Sequence, residues 1–162
     1  VSESSDALYL RAMLLSRNGN NQEALDLFEK ALIQSPENPK LMNAVGFILV
    51  KENIDLDRAQ KLLEAAHQLI KSSETPMLSD LLMVAHSLGI LYWKQGKLEQ
   101  AEKLLEIAWD QCPDTWATQK ESRLQDLKNF YRETGKLEAL NRFEDELPVS
   151  ISSDTEGITN DP

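Results

Sequence analysis

The chain has 162 residues and a formal net charge of −10 at pH 7, a size that fits one domain. This acidic balance argues against nucleic-acid binding, which needs a basic surface to displace counterions from phosphates. The lone Cys112 excludes an internal disulfide framework and a thiolate zinc site, and no apolar run reaches the ~20 residues that span a bilayer.

The cysteine content also indicates the cellular compartment. A single cysteine fits a reducing environment and therefore favours the cytoplasm. The sequence begins at Val1 rather than Met, as expected of a processed or trimmed chain, so the absence of a targeting segment carries little weight.

The first forty residues predict two helices joined by a tight turn. Apolar spacing predicts a helix over 6–17, which Gly19 and its flanking asparagines end because they tolerate the left-handed conformation. A second helix is expected over 21–34, with Asn21 as its N-cap, and Pro36 stops it.

The same helix–turn–helix order returns twice. Helices are predicted over 40–52 and 56–71, then over 78–95 and 98–111. The third unit follows at a wider spacing than the second, which we attribute to a longer first helix.

A fourth unit is expected over 115–133 and 137–147, although it matches the others least. Terminal repeats are commonly atypical because one face meets solvent. Residues 148–162 lose the periodicity and form a predicted acidic, Ser- and Thr-rich tail, separate from the helical domain over 1–147.

Small residues recur at equivalent places in these units, with a period of about 34 residues. Two helices approach to 8–10 Å only where the contact points carry little side chain, so these positions mark helix crossings. The small positions are Ala12, Ala24, Ala31, Gly46, Ala59, Ala66, Gly89, Ala101 and Ala108, and the aromatic and proline positions of the same series are Phe28, Tyr92, Pro36 and Pro113.

This pattern resembles the tetratricopeptide repeat family over 6–147. The resemblance implies an all-α fold of about eight helices, in which antiparallel helix pairs stack into a right-handed superhelix (a solenoid). It also implies a non-enzymatic module that binds a protein or peptide partner in a concave groove. The family's frequent tryptophan is replaced by Leu8, Met42 and Ala85.

In the family, the first helix of each unit lines the groove, which implies a set of partner-binding positions in this chain. They are Tyr9, Met13, Arg17, Asn43, Phe47, Lys51, His86, Ile90, Trp93, Lys94, Lys128, Tyr131 and Arg132.

Arg17, Lys51, Lys94 and Arg132 stand at the same relative place near the end of each first helix. One interpretation is a ladder of cations that grips an acidic or aromatic-rich peptide. The other is that cations near a helix C-terminus interact favourably with the helix dipole. The two interpretations are compatible.

Some family members hold the C-terminal carboxylates of chaperones with lysine, asparagine and arginine. The matching positions here carry Tyr9, Met13, Ala44, Met83 and Ser87, so we expect no such clamp.

Catalysis, metals and cofactors are not indicated by the sequence. The two histidines, His67 and His86, lie 19 positions apart without a third ligand or orienting group. Cys112 fits a buried apolar position, and no glycine-rich phosphate loop is present.

Two functions therefore stay open. The first is the groove-binding module, and the alternative is a structural or assembly subunit that self-associates through its terminal repeat or tail. The tail is expected either to be solvated or to lie in a groove, its own or a neighbour's, with Ile151 and Ile158 as apolar anchors.

Overall fold

The computed structural model describes residues 3–143, and this part of the chain forms eight helices and no strands. Their bounds are Ser5–Arg17 (α1), Asn21–Gln34 (α2), Pro39–Lys51 (α3), Leu56–Lys71 (α4), Leu78–Lys94 (α5), Leu98–Asp110 (α6), Ala117–Glu133 (α7) and Leu137–Asn141 (α8). The predicted all-α fold class is confirmed. The last helix ends at Asn141, earlier than the predicted 147, because Arg142 and Phe143 form a turn; the predicted tail over 148–162 lies outside the described residues.

Side-chain caps explain several helix starts. Asn38 Oδ1 accepts hydrogen bonds from the backbone N–H groups of Lys40 (3.0 Å) and Leu41 (3.4 Å), at the start of α3. The prediction of Asn21 as the cap of α2 is wrong, because Asn20 takes that position without a side-chain bond. The long α5, with 17 residues, confirms the expected extension of the third unit.

The turns inside the units need left-handed backbone. Gly19, Gly96 and Gly135 supply it in three units, with φ of 83°, 73° and 72°. The second unit has no glycine there, and Asn53 (φ 58°) and Asp55 (φ 41°) adopt the conformation instead. Asparagine and aspartate tolerate this region better than other non-glycine residues, so the turn keeps its geometry.

The helices pack in sequence order. The closest associations are within the pairs α1–α2, α3–α4 and α5–α6, and each pair then contacts the next through α2–α3, α4–α5 and α6–α7. The first helices α3 and α5 also touch directly. Each unit therefore contacts its neighbours in the stack, which is the arrangement of a helical repeat array.

The recurring small residues lie at the helix crossings, as their spacing predicts. Ala24, Ala59 and Ala101 have no exposed surface. A Cβ added at Gly46 would lie 2.8 Å from Leu63 Cγ, closer than van der Waals contact allows. These positions set how closely the paired helices approach.

A hydrophobic cluster, which we call the second cluster, joins α6, α7 and α8. Phe130 and Tyr131 are wholly buried in it, and the Tyr131 ring stacks on Phe143 with centroids 5.9 Å apart. The Tyr131 hydroxyl donates a hydrogen bond to Glu106 Oε1. Burial raises the pKa of the Tyr131 phenol, and the hydrogen bond and negative charge of Glu106 raise it further.

This raised pKa predicts an alkaline loss of stability. Above about pH 10 an unfolded tyrosine ionises while folded Tyr131 keeps its proton, so the unfolded state binds fewer protons and the free energy of unfolding falls. We expect Tyr131→Phe to flatten this fall, measured by urea denaturation at increasing pH. Tyr92→Phe, at a half-buried site, is the control with a smaller expected effect. Equal slopes for wild type and Tyr131→Phe would contradict the assignment.

Candidate functional site

A cavity of about 210 Å³ opens where the first helices of successive units come together. We call it the groove. Its walls come from α1 to α3, α5 and α7, and they consist of Tyr9, Met13, Ser16, Phe28, Lys40, Asn43, Ala44, Phe47, Ile48, Met83, His86, Ser87 and Arg123.

The groove brings together part of the predicted binding set. Tyr9, Met13, Asn43, Phe47 and His86 all line it, although they span almost eighty positions of the chain. The spacing of first-helix residues therefore identifies which side chains of the first three units share a surface.

The predicted cations lie elsewhere. Arg17, Lys51, Lys94 and Arg132 are exposed in the last turns of α1, α3, α5 and α7, and none of them lines the groove. This placement is the one that the helix dipole favours, by about 0.3–1 kcal/mol for each cation.

Four further predicted residues also lie outside the cavity. Ile90 and Trp93 are half-buried and pack against the second cluster, where Trp93 meets the edge of Phe130 at 5.5 Å between centroids. Lys128 is half-buried on α7. Tyr131 has no exposed surface, so its prediction as a groove residue is corrected: it is a core residue beneath α8.

Asn43 is the most unusual polar residue of the groove. Its side chain is 4% exposed, and its Oδ1 has no hydrogen-bond partner among the described residues. An unsatisfied buried acceptor costs about 1–3 kcal/mol of stability. A ligand that donates an N–H here would remove that penalty.

Arg123 is a groove residue that the sequence reasoning missed. It is 8% exposed, and its Nη1 donates to the backbone carbonyl of Ala108 at 3.2 Å. Arg123, Leu127, Phe130 and Tyr131 are the buried positions of α7, at i, i+4, i+7 and i+8. Arg123 follows the helical spacing of the buried apolar residues. This spacing is the sequence signal for a buried arginine.

His86 connects the groove to α7. Its Nε2 lies 2.8 Å from Asp126 Oδ2, and its ring lies 6.1 Å from Phe47 between centroids. The pair joins α5 to α7 across 40 positions, and it fixes the imidazole in the groove wall. The wall thereby presents an aromatic surface with a polar edge.

Tyr9 closes the other side of the groove. Its ring contacts Phe28 at 5.6 Å, and burial raises the pKa of its phenol, helped by the negative charge of Asp80. Tyr9 therefore stays protonated and able to donate a hydrogen bond. Asp80 is itself 3.8 Å from Lys40 Nζ, so that cation is already paired.

The remaining features do not assemble a reactive centre. In residues 3–143, no three side chains of His, Cys, Asp or Glu stand together in a way that would hold a metal ion. Cys112 is 2% exposed, as expected for a small apolar residue. A wider hollow of about 720 Å³ lies at the α2–α3 connection, lined by Ser35 to Lys40 and Asp6. None of its lining residues is buried.

Within residues 3–143, none of the helices combines the length and the apolar character that crossing a bilayer requires.

Two family models match this chain, and both describe the tetratricopeptide repeat. One covers residues 5–38 and the other residues 81–109. The matched segments are the first unit, α1–α2, and most of the third, α5–α6.

A curated relative and a solved structure agree with these matches. The TPR repeat-containing protein PA4667 of Pseudomonas aeruginosa is 28% identical over 112 residues, which cover 69% of this chain and 18% of that protein. The crystal structure of BtubC (BKLC) from P. vanneervenii superposes with a TM-score of 0.67 at 19% identity. The superposition covers 98% of this chain and 66% of the BtubC chain. This likeness supports the fold alone.

The repeat spacing, the stacked helix pairs and the family matches agree with one another. Repeats of this kind form protein-interaction or scaffold modules. The two matched segments are tetratricopeptide repeats, and this chain is similar to proteins of that family.

Proposed function

We propose that this chain is a non-enzymatic interaction module whose groove binds an extended segment of a partner protein. The observation that carries the proposal is Asn43, a residue of the groove wall whose buried Oδ1 has no donor among the described residues. Backbone N–H groups of an extended peptide are the commonest donors that such an acceptor meets on binding.

The walls of the groove also favour a peptide. Phe47, Met13 and Met83 offer an apolar surface for one side chain, and the methionines adapt to different shapes. Tyr9 and Asn43 supply polar groups that fix the orientation of a bound segment. In this proposal the binding function belongs to the helical domain over 1–147, and the acidic residues 148–162 are a separate segment.

A variant that fills the cavity tests the proposal. Ala44 is half-buried in the groove wall, and Ala44→Phe adds a ring there. We expect peptides selected from a random display library on the wild-type chain to bind Ala44→Phe at least about tenfold more weakly, a loss of ~1.4 kcal/mol. Calorimetric titration measures both affinities.

The matched control is Ala117→Phe, at the exposed start of α7. It adds the same ring at an exposed residue that does not line the cavity, and it should leave the affinity unchanged. Peptides that bind Ala44→Phe as tightly as the wild type would place the binding surface outside the groove.

Self-association is a second candidate function. Leu10 and Leu14 lie one turn apart on α1, and they are 64% and 59% exposed. Exposed apolar pairs of this kind occur at interfaces between copies. Sedimentation over a range of concentrations separates the candidates: an oligomer that grows with concentration supports assembly, and a monomer that binds the selected peptides supports the groove.

A further inference from the structure

Arg123 is a nearly buried cation in the groove wall without a carboxylate partner among residues 3–143. The ion pairs of this region join other side chains, and Arg123 Nη1 bonds a backbone carbonyl. Arginine stays charged at all ordinary pH values, and a buried charge is costly unless it is paired. The groove therefore favours an occupant that carries an anion.

Asn43 provides an independent observation in the same cavity. Its Oδ1 lacks a donor, whereas Arg123 lacks an acceptor anion. An extended peptide with an acidic side chain supplies both at once, an N–H for the amide oxygen and a carboxylate for the guanidinium. Arginine and carboxylate form the strongest of these bonds, often with two parallel N–H donors.

This chain carries such a sequence outside the described residues. Residues 144–162 contain six carboxylates and neither lysine nor arginine. Asp154 and Glu156 lie between Ile151 and Ile158, so two acidic side chains are flanked by apolar ones within a short stretch. The groove presents the complementary pair, an arginine beside an apolar wall.

The chain length is sufficient to reach the groove. Phe143 packs on Tyr131, which lies eight positions beyond Arg123 on α7, a separation of about 12 Å along the helix axis. Asp154 follows Phe143 by eleven residues, and an extended chain of that length spans up to ~36 Å.

We propose that residues 149–160 of this chain occupy its own groove, with Asp154 or Glu156 paired to Arg123. The inference rests on the proposed function, because a partner segment uses the same cavity. The tethered segment competes with a partner at a high effective concentration, so it sets the affinity that the partner experiences.

Paramagnetic broadening tests this contact in the full chain. A nitroxide is attached at Thr159→Cys in a Cys112→Ala background, and an otherwise identical diamagnetic label gives the reference spectrum. We expect the backbone amide signals of Ala44, Phe47 and Met83 to broaden, because these residues line the groove. Unbroadened groove signals would overturn the inference.

Charge variants identify the pairing. Arg123→Gln should abolish most of the broadening, and so should the joint change of Asp154→Asn and Glu156→Gln. The tail variant leaves residues 3–143 unaltered, so it remains decisive if Arg123→Gln folds poorly. Arg132→Gln, an exposed arginine on the same helix, should keep the broadening. Broadening that survives the tail variant contradicts the pairing.

A mixed sample distinguishes the chain's own tail from that of a second copy. One chain carries the nitroxide without isotopes, and the other carries isotopes without the nitroxide. Broadening in this mixture would show a neighbour's tail and overturn the intramolecular contact.

Peptide affinity separates failure of the inference from failure of the proposed function. If the tail fills the groove about nine-tenths of the time, neutralising it strengthens binding of the selected peptides about tenfold. Equal affinities for the wild type and the tail variant contradict the tail contact but leave the proposed function intact. A tail variant that binds no peptide contradicts the proposed function.

Discussion

Phe130→Ala is expected to lower the free energy of unfolding by about 3–5 kcal/mol, because it removes a wholly buried ring from the second cluster. The ring contacts Trp93 at 5.5 Å and Tyr131 at 5.6 Å between centroids, and the surrounding structure closes such a cavity only in part. Urea denaturation followed by tryptophan fluorescence measures the change, since Trp93 and Trp109 pack against this cluster.

The position of Phe130 in the stack adds a second expectation. In a repeat array each unit is stabilised by its own contacts and those to its nearest neighbours, so the loss of stability should be local to the fourth unit. Hydrogen exchange should therefore accelerate in α7 and α8 more than in α1 to α4. Ile33→Ala, 80% exposed, should change the stability by less than about 0.5 kcal/mol. A similarly small change for Phe130→Ala would show that the second cluster is not a stabilising core.

Asn43→Leu is expected to weaken peptide binding while the fold becomes no less stable. The change removes a buried amide whose Oδ1 has no partner in residues 3–143 and replaces it with an apolar side chain of similar shape. Removing an unsatisfied acceptor is neutral or stabilising, up to about 1–3 kcal/mol. A lost hydrogen bond to the peptide should cost at least about tenfold in affinity, or ~1.4 kcal/mol.

Because the expected effects on stability and on peptide affinity differ in sign, Asn43→Leu distinguishes a binding role of Asn43 from a structural one. A structural asparagine would lose stability on substitution, and any loss of binding would follow from the damaged fold. Asn141→Leu, exposed in α8, is the matched control and should leave affinity unchanged. Denaturation and calorimetry on the same samples measure both quantities. An unstable Asn43→Leu protein, or one with unchanged affinity, would remove Asn43 from the binding site.

The fold was largely predictable because its helices are amphipathic and their crossings require small residues. Ala24, Ala59 and Ala101 stand at equal places in successive units, and each is fully buried. The turn of the second unit has no glycine, but Asn53 and Asp55 adopt left-handed backbone there. The turn therefore keeps its geometry although its residues differ. Sequence spacing records such local rules directly.

The site was predictable only where the repeat is regular. Tyr9, Asn43 and His86 share the groove because the first three units are stacked alike. The fourth unit departs from the pattern, and Tyr131 turns into the core because α8 and Phe143 cover it. A missing hydrogen-bond partner depends on neighbours from several helices, so no spacing rule reveals it.

The most direct test of this account is to map a library-selected peptide onto the chain by NMR. Chemical-shift changes in the backbone amides and in the Asn43 side-chain amide report where the peptide lies. We expect the largest changes at groove residues, with Asn43, Phe47 and His86 among them. Changes confined to α2, α4 and α6, the second helices of their units, would contradict it.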